Sequence, residues 1–404
     1  MKLRPSLRIP AAAAVSLTIL ACGGEGDGTA QASPSGGGGS LGAPTHTFPE
    51  DFGTIQTVRE LDDGRLLVAD PLGGALYVVD LEAGTRERIG TEGQGPGEYR
   101  QPDSVWPIAG DSTLVVDLGN GRFITVDADF EFGPTTPLSQ GNPREGLVIA
   151  LPQGVDARGN VYAQGMMGGG PGAQLPDSGA IMRIVRGSFE VDTIAKYKLQ
   201  ERTRTVSGGP NNQSVSIQQV PLSPEDAWGV APDGSVVIAR SSDYHVEWHR
   251  PDGTVRSGPP VPFDPVPIGR AEQEEWIAAQ GQTGGGIGIS VSINNGAMQT
   301  NFSRGGMRMG GQSDPTPDDY QWPEVKPPFY DTRIVVDPMG RAWVRRHVEA
   351  GEDATYDLFD GTGARVTTYT LPNNKRVIGF GDGAVYVVSY DEFDLNWLER
   401  YALR

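Results

Sequence analysis

The chain has 404 residues, 51 of them acidic and 33 basic, for a formal charge of −18. Such an acidic body argues against nucleic acid as a partner and against direct electrostatic attachment to anionic lipid heads. Its single cysteine excludes an intramolecular disulfide, so burial alone must hold the fold, and the chain is long enough for that.

The first segment, MKLRPSLR, carries Lys2, Arg4 and Arg8 and no acid; the apolar run IPAAAAVSLTILA follows and ends at Cys22. That run is shorter than the ~20 residues a membrane-spanning helix needs and reads as the core of a secretory signal. A small residue, Ala21, precedes the cysteine. The arrangement resembles the lipobox of bacterial lipoproteins. It implies that residues 1–21 are a signal peptide and that Cys22 becomes the lipidated first residue. Removing the leader takes away three basic residues and no acid, so −18 becomes −21. With Gly23 after the cysteine, such a protein is expected at the outer membrane where the envelope has two. Residues 22–45, nearly all small or turn-forming, are expected to be a flexible tether.

From residue 46 onward one pattern recurs six times: an apolar residue, a tight Asp/Gly turn, then an alternating apolar strand. The copies are LDDGRLLVAD (61–70), IAGDSTLVVD (108–117), VDARGNVYAQ (155–164), VAPDGSVVIA (230–239), VDPMGRAWVR (336–345) and GFGDGAVYVV (379–388). Asp-Gly between strands signals a hairpin, because glycine accepts the positive φ of the turn. A second hairpin follows most copies, so each unit is a four-stranded antiparallel meander. Repeated units of this kind predict a β-propeller of six blades, or seven if the longest interval hides a degenerate one. The turn residues Gly64, Ser112, Gly159, Gly234, Gly340 and Gly383 lie 48, 47, 75, 106 and 43 residues apart. The last unit runs out of chain after three strands. His46, Thr47 and Phe48 are the expected donor of the fourth, leaving no open edge.

The segment GTEGQGPGEYRQPDSV (90–105), followed by LVVDLGNGRFITVDADF with Asn120 and Arg122, resembles the NHL-type six-bladed propellers. In that family a Gly-Gly-Pro-Gly-Glu-aromatic loop joins successive blades. The resemblance covers the first two blades and implies a binding role more often than a catalytic one.

Extra sequence is expected as insertions at about 165–179, 199–224 and 262–327. The last begins with IGRAEQEEWIAAQ, where Ile268, Trp276 and Ile277 suggest a short amphipathic helix, and continues into a Gly-rich stretch with Met298, Met307 and Met309. Those methionines suit adaptable packing better than a copper site. Long loops of this kind are expected to roof one face and form a partner-binding surface.

His245, Glu247 and His249 alternate along a strand and share one face. In the third strand of a blade they are expected to satisfy one another by hydrogen bonds, away from the central channel. No CxxC or HExxH spacing supports zinc. Nine positions upstream of each turn residue stand Ile55, Asp103, Ala150, Glu225, Asp331 and Asn374. Asp103, Glu225, Asp331 and Asn374 would ring one mouth of the channel, and oxygen ligands from separate strands suit Ca²⁺. This arrangement looks like the metal centre of the gluconolactonase-type propellers, which implies metal-assisted hydrolysis. Trp106 and Trp228 are expected in the core.

The resulting expectation is an all-β, six-bladed propeller closed by an N-terminal strand, with one short helical insertion. It would be extracytoplasmic, held to the membrane by its N-terminal lipid only. It would bind an envelope protein, peptide or glycan, need no cofactor and take no nucleic acid. The alternative is a Ca²⁺-dependent hydrolase or lyase at the channel mouth.

Overall fold

The computed structural model describes residues 38–403 apart from 143–145, 166–174, 210–211, 283–285, 295–296, 306–314 and 331–332. Cys22 and the leader lie outside the described residues, as do Asp331, Met307 and Met309.

Six four-stranded antiparallel sheets follow one another along the chain. Blade 1 begins at Val58–Glu60, blade 2 at Pro102–Ile108 and blade 3 at Gly154–Val155; blade 4 begins at Ala227–Val230, blade 5 at Val335–Val336 and blade 6 at Lys375–Gly381. The first strand of each blade lies against those of its two neighbours, including blade 6 against blade 1, so the inner strands close a ring. The 106-residue interval therefore holds insertions and not a seventh blade.

The second strands explain the packing. Leu66–Asp70 is buried throughout, and its side chains alternate between two interfaces. Leu66 and Val68 face blade 6 beside Tyr386 and Leu398, whereas Leu67 and Ala69 face blade 2 beside Val115 and Ile124. Among the described residues the core resolves into six clusters, one for each pair of adjacent blades. At the blade 4–5 seam the inner strands approach so closely that a Cβ on Gly229 would collide with the Ile334 carbonyl.

The ring closes as expected. His46–Phe52 forms the fourth strand of blade 6, pairing His46 with Arg400 and Phe52 with Asn396. The register breaks between Thr47 and Asp51, around Pro49, which an outermost strand tolerates because one side of its ladder is unused. The tether boundary needs correction. Gly39–Ser40 pairs in parallel with the outer strand of blade 5, and Leu41 is 7 % exposed within the blade 5–6 core. The domain thus reaches back at least to Gly39, because one buried leucine fixes a stretch whose small residues read as loop.

Asp117, 0 % exposed, explains the NHL-like segment. Its carboxylate accepts from the Arg100 and Gln101 backbone N–H groups, from Asn120 Nδ2 at 2.7 Å and from Arg122 Nε at 3.3 Å. Asn120 and Arg122 in turn donate to the carbonyls of Gly93, Gln94 and Glu98. The glycine-rich loop between blades 1 and 2 is tied down by side chains of the blade it leads into.

In such a meander, fourth-to-first and second-to-third connections emerge on one face of the disc. The tight first-to-second turns emerge on the other. The insertions with described helix or strands join a fourth strand to the next first strand, so all rise from the same face; the insertion expected at about 165–179, between the second and third strands of blade 3, lies mostly outside the described residues. They are a hairpin at Ser139–Asn142 and Gly146–Ile149, a second at Arg202–Gly209 and Asn212–Gln219, the helix Arg270–Gln282, and a third hairpin at Ile287–Asn294 and Ala297–Arg304. The first of these was not foreseen. His46 and Leu403 lie on the opposite face: His46 pairs with Arg400, and the Leu403 N–H donates to the Gly383 carbonyl in a first-to-second turn.

Candidate functional site

The inner strands present Gln56, Asp103, Gln153 and Arg333 at the insertion-bearing mouth of the channel. These side chains and the third hairpin enclose a cavity of about 720 Å³. The hairpin is docked, not loose. Phe302 is 5 % exposed in the blade 2–3 core, and Gln101 bonds Arg304 twice, accepting from its N–H at 2.9 Å and donating to its carbonyl at 3.1 Å. The Arg304 guanidinium reaches the buried Asp103 carboxylate through both oxygens. Opposite, the Arg333 guanidinium lies over the Trp106 ring, 4.8 Å from its centroid, and donates to the Gln56 carbonyl. Gln153 Nε2 donates to the Trp228 carbonyl at 3.1 Å. Ile149, Leu151, Ile287 and Ile289 supply apolar wall. Below, sharing Trp106, Gln153 and Arg333, lies a narrower channel of about 230 Å³ lined by Val58, Val105, Val155, Val230, Val335 and Ile378.

The four residues expected to hold a metal are not gathered by the described structure. Asp103 is at the mouth, where its charge is met by Arg304. Glu225 lines a different cavity, beside the helix. Asn374 donates to the Tyr390 carbonyl at 3.0 Å and accepts the Tyr390 N–H at 2.9 Å, joining two strands of blade 6. Asp331 lies outside the described residues. Among the described residues no group of three or more His, Cys, Asp or Glu side chains is placed to hold a metal ion. The physical reason is visible in the positions themselves: the mouth carries amides and guanidinium groups where Ca²⁺ would need carboxylates. The nine-residue count also slipped, because first strands differ in length from seven residues (Pro102–Ile108) to two (Gly154–Val155). It selected Ile55 and Ala150 where the mouth is lined by Gln56 and Gln153.

Trp228 is core, at 1 % exposed, but Trp106 is a wall of the mouth. Arg304 and Arg333 escaped sequence reading: Arg304 is one of three arginines in the long insertion, with Arg270 and Arg308, and Arg333 stands beyond its end, so nothing local marks out either.

His245–His249 is the third strand of blade 4, and its side chains alternate as expected. His245 contacts Asp243 at 2.6 Å and Glu247 at 3.2 Å; His249 contacts Glu247 at 3.3 Å. Burial opposes ionisation of Glu247, but bonds from Arg240, His245 and His249 outweigh it and hold the carboxyl below its usual range. On the other face Tyr244 donates to Asp357 at 2.6 Å and Trp248 to the Asp360 carbonyl, both in blade 5. This strand joins blades.

The helix docks by charge more than by its apolar side. Glu272 accepts from the Gly269 and Ala350 N–H groups and Glu275 from that of Gly351, while Trp276 packs edge-on against Tyr320 and Trp322. Beneath it His347, 8 % exposed, sits against Tyr330. Burial first, then Lys326 and Arg345, hold its imidazole well below the ordinary range. The folded state keeps His347 neutral, whereas the unfolded chain takes up that proton near pH ~6.5. Stability is therefore expected to fall as pH drops below ~6.5 toward the folded pKa. Urea midpoints measured from about pH 7 to pH 5 should fall less steeply in His347→Gln. An unchanged slope would exclude His347 as the cause.

The fold and this mouth define a six-bladed β-propeller, and a family described as "6-bladed beta-propeller" matches residues 50–140. No curated protein matches the chain. Among solved structures it is similar to a streptogramin B lyase, at 12 % identity over 88 % of this chain and 97 % of that one, TM-score 0.38. It is also similar to a DUF4221 family member from Bacteroides vulgatus (10 %, 89 % and 96 %, TM-score 0.40). A gluconolactonase from Xanthomonas campestris resembles it at 9 % identity over 88 % of each chain, TM-score 0.39. Likenesses so distant bring no chemistry to the chain.

Proposed function

We propose that the chain is a lipid-anchored, extracytoplasmic propeller of NHL type that binds a peptide segment of an envelope protein at its insertion-covered mouth. The observation that carries this reading is the roofed cavity of about 720 Å³. It has apolar walls with a few convergent polar groups, within the ~300–1,000 Å³ range of ligand sites. Side-chain amides from Gln56, Gln153 and Gln164 match the donors and acceptors of a peptide backbone, and Trp106 and the isoleucines accept its side chains. The anchor is the lipidated Cys22, with residues 1–21 removed.

The test begins with peptides selected from a displayed library on the soluble Cys22→Ser chain and titrated calorimetrically. Trp106→Ala and Gln153→Ala should each weaken binding about tenfold or more at a temperature where circular dichroism shows the variants folded. Selected peptides that bind these variants as tightly as wild type would sink the mouth as the site. Labelled fatty acid should enter the wild-type chain and not Cys22→Ser.

A further inference from the structure

A cleft of about 270 Å³ lies in the seam between blades 2 and 3, outside the ring of inner strands. It shares no lining residue with the mouth or the channel below it, and the peptide reading does not depend on it. It runs from the first-to-second turn of blade 3, at Gly159, to the foot of the first hairpin, at Gln140.

Its floor is apolar. Leu114, Phe123, Ala150, Val161 and Ile184 are all buried, and Phe189 adds a half-buried ring. Among the described lining residues Arg186 alone is charged, and it stands exposed at the Gly159 end. Both blades set its position. A Cβ on Gly159 would come within 2.7 Å of the Arg186 Cδ, so only a glycine lets the stem lie over that turn. Across the seam Arg186 Nη2 donates to Thr125 Oγ1 at 3.0 Å. That hydroxyl is neutral, and among the described residues Arg186 forms no ion pair. Most of its five N–H groups remain for a ligand. Beside it Ser188 Oγ accepts the Glu190 N–H at 3.3 Å and keeps its own proton to donate.

The same turn one blade earlier is built differently. Phe130 and Phe189 hold matching places in the third-to-fourth turns of blades 2 and 3, at φ of 63° and 61°. Phe130 is covered by the Arg65 guanidinium, 5.2 Å from its centroid, and Arg65 is paired with Asp63 at 2.7 Å. Phe189 lines the cleft instead, next to an arginine with no carboxylate of its own.

A cationic ligand would be repelled by Arg186. A sugar would set its hydroxyls against six apolar side chains that return no hydrogen bond. An amphipathic carboxylate suits both parts: its head stays hydrated at the rim in a bidentate pair with the guanidinium, and its tail is buried on the floor. An apolar cavity of about 150 Å³ holds benzene, so this cleft has room for about eight carbons. We infer that the seam between blades 2 and 3 is a binding site for a medium-chain carboxylic acid. The acidic body repels such an ion from a distance, but salt screens charges beyond ~8 Å and leaves the contact at Arg186.

The experiment titrates the soluble Cys22→Ser chain, without detergent, with hexanoate, octanoate, 1-octanol and octylamine, by calorimetry and ligand-detected NMR. Octanoate should bind saturably, with a Kd below about 1 mM. Octanol and octylamine should bind about fivefold or more weakly, for want of the ion pair. Hexanoate, two methylenes shorter, should bind about tenfold more weakly than octanoate. Arg186→Gln, at an exposed position, should cost octanoate about fivefold and leave octanol unchanged. Thr136→Trp, on the outermost strand of blade 2, fills the cleft and should weaken both, with circular dichroism showing the variant folded. No saturable binding of octanoate overturns the proposal. So does equal affinity for octanol or octylamine, or an Arg186→Gln chain that binds octanoate as the wild type does. A peptide selected for the mouth should neither displace octanoate nor be displaced by it; displacement would put the acid at the mouth and overturn this site. A chain that binds its peptide but not octanoate would lose this site and keep the mouth, and the reverse result would do the opposite.

Discussion

Deletion of residues 38–52 is expected to abolish cooperative folding, although it removes only the outermost strand of blade 6 and a two-residue edge strand of blade 5. Phe48 and Phe52, 0 % and 1 % exposed, fill the blade 6–1 seam beside Ile55, Tyr386 and Leu398. Burying two such side chains stabilises by about 1.5–3 kcal/mol each. Arg86 adds a contact over the Phe52 ring at 4.9 Å and donates to the Asp51 carbonyl at 2.8 Å. Losing Leu41 opens the blade 5–6 seam as well. The total approaches the whole stability of a typical domain, about 5–15 kcal/mol. The strand left bare, Asn396–Ala402, would present an unpaired edge to other copies. Size-exclusion chromatography should show aggregate, and urea unfolding should show no sharp transition. A peptide of residues 38–54 added in trans should restore the transition in part. Phe48→Ala is the graded version and should cost about 3–5 kcal/mol. A truncated chain that unfolds at the wild-type midpoint would show that the ring is closed by something else.

The second large effect is expected at Asp117. Asp117→Ala removes an acceptor shared by two backbone N–H groups, Asn120 and Arg122, at a position 0 % exposed. Removing one partner of a buried, hydrogen-bonded ion pair costs about 3–5 kcal/mol, because the other charge is left without compensation. Asp117→Asn keeps the shape and should cost less. The loss should also travel. Asp117 holds the Gln101 N–H, and the Gln101 side chain holds the hairpin at Arg304. Hydrogen exchange should therefore quicken in Ala297–Arg304 as well as in the loop at 90–101. Faster exchange in the loop alone would mean that the hairpin is held chiefly by Phe302 and the Asp103 pair.

What could be read from the sequence follows from distance along the chain. The Asp/Gly turns are local, and at Gly64, Gly159, Gly234, Gly340 and Gly383 the backbone does adopt positive φ. From them the blades and the closing strand followed. The alternation of His245, Glu247 and His249 is local too, and it placed their face correctly. The mouth was not legible in the same way. Asp103 and Arg304 are 201 residues apart, and nothing in either neighbourhood announces the other. A carboxylate at the head of an inner strand looks like a cation ligand until its guanidinium is seen. Gln56 and Gln153 were missed because the spacing from turn to strand head varies among blades. Leu41 was missed because one apolar residue among glycines carries no periodicity.

The strand that closes the ring, His46–Phe52, is also the seam along which the ring would be pulled open. A load applied along its length is shared by its hydrogen bonds to Asn396–Ala402, which must slide together, whereas a load across it would open them one after another. The same pairing is thus firm against one direction of force and weak against the other.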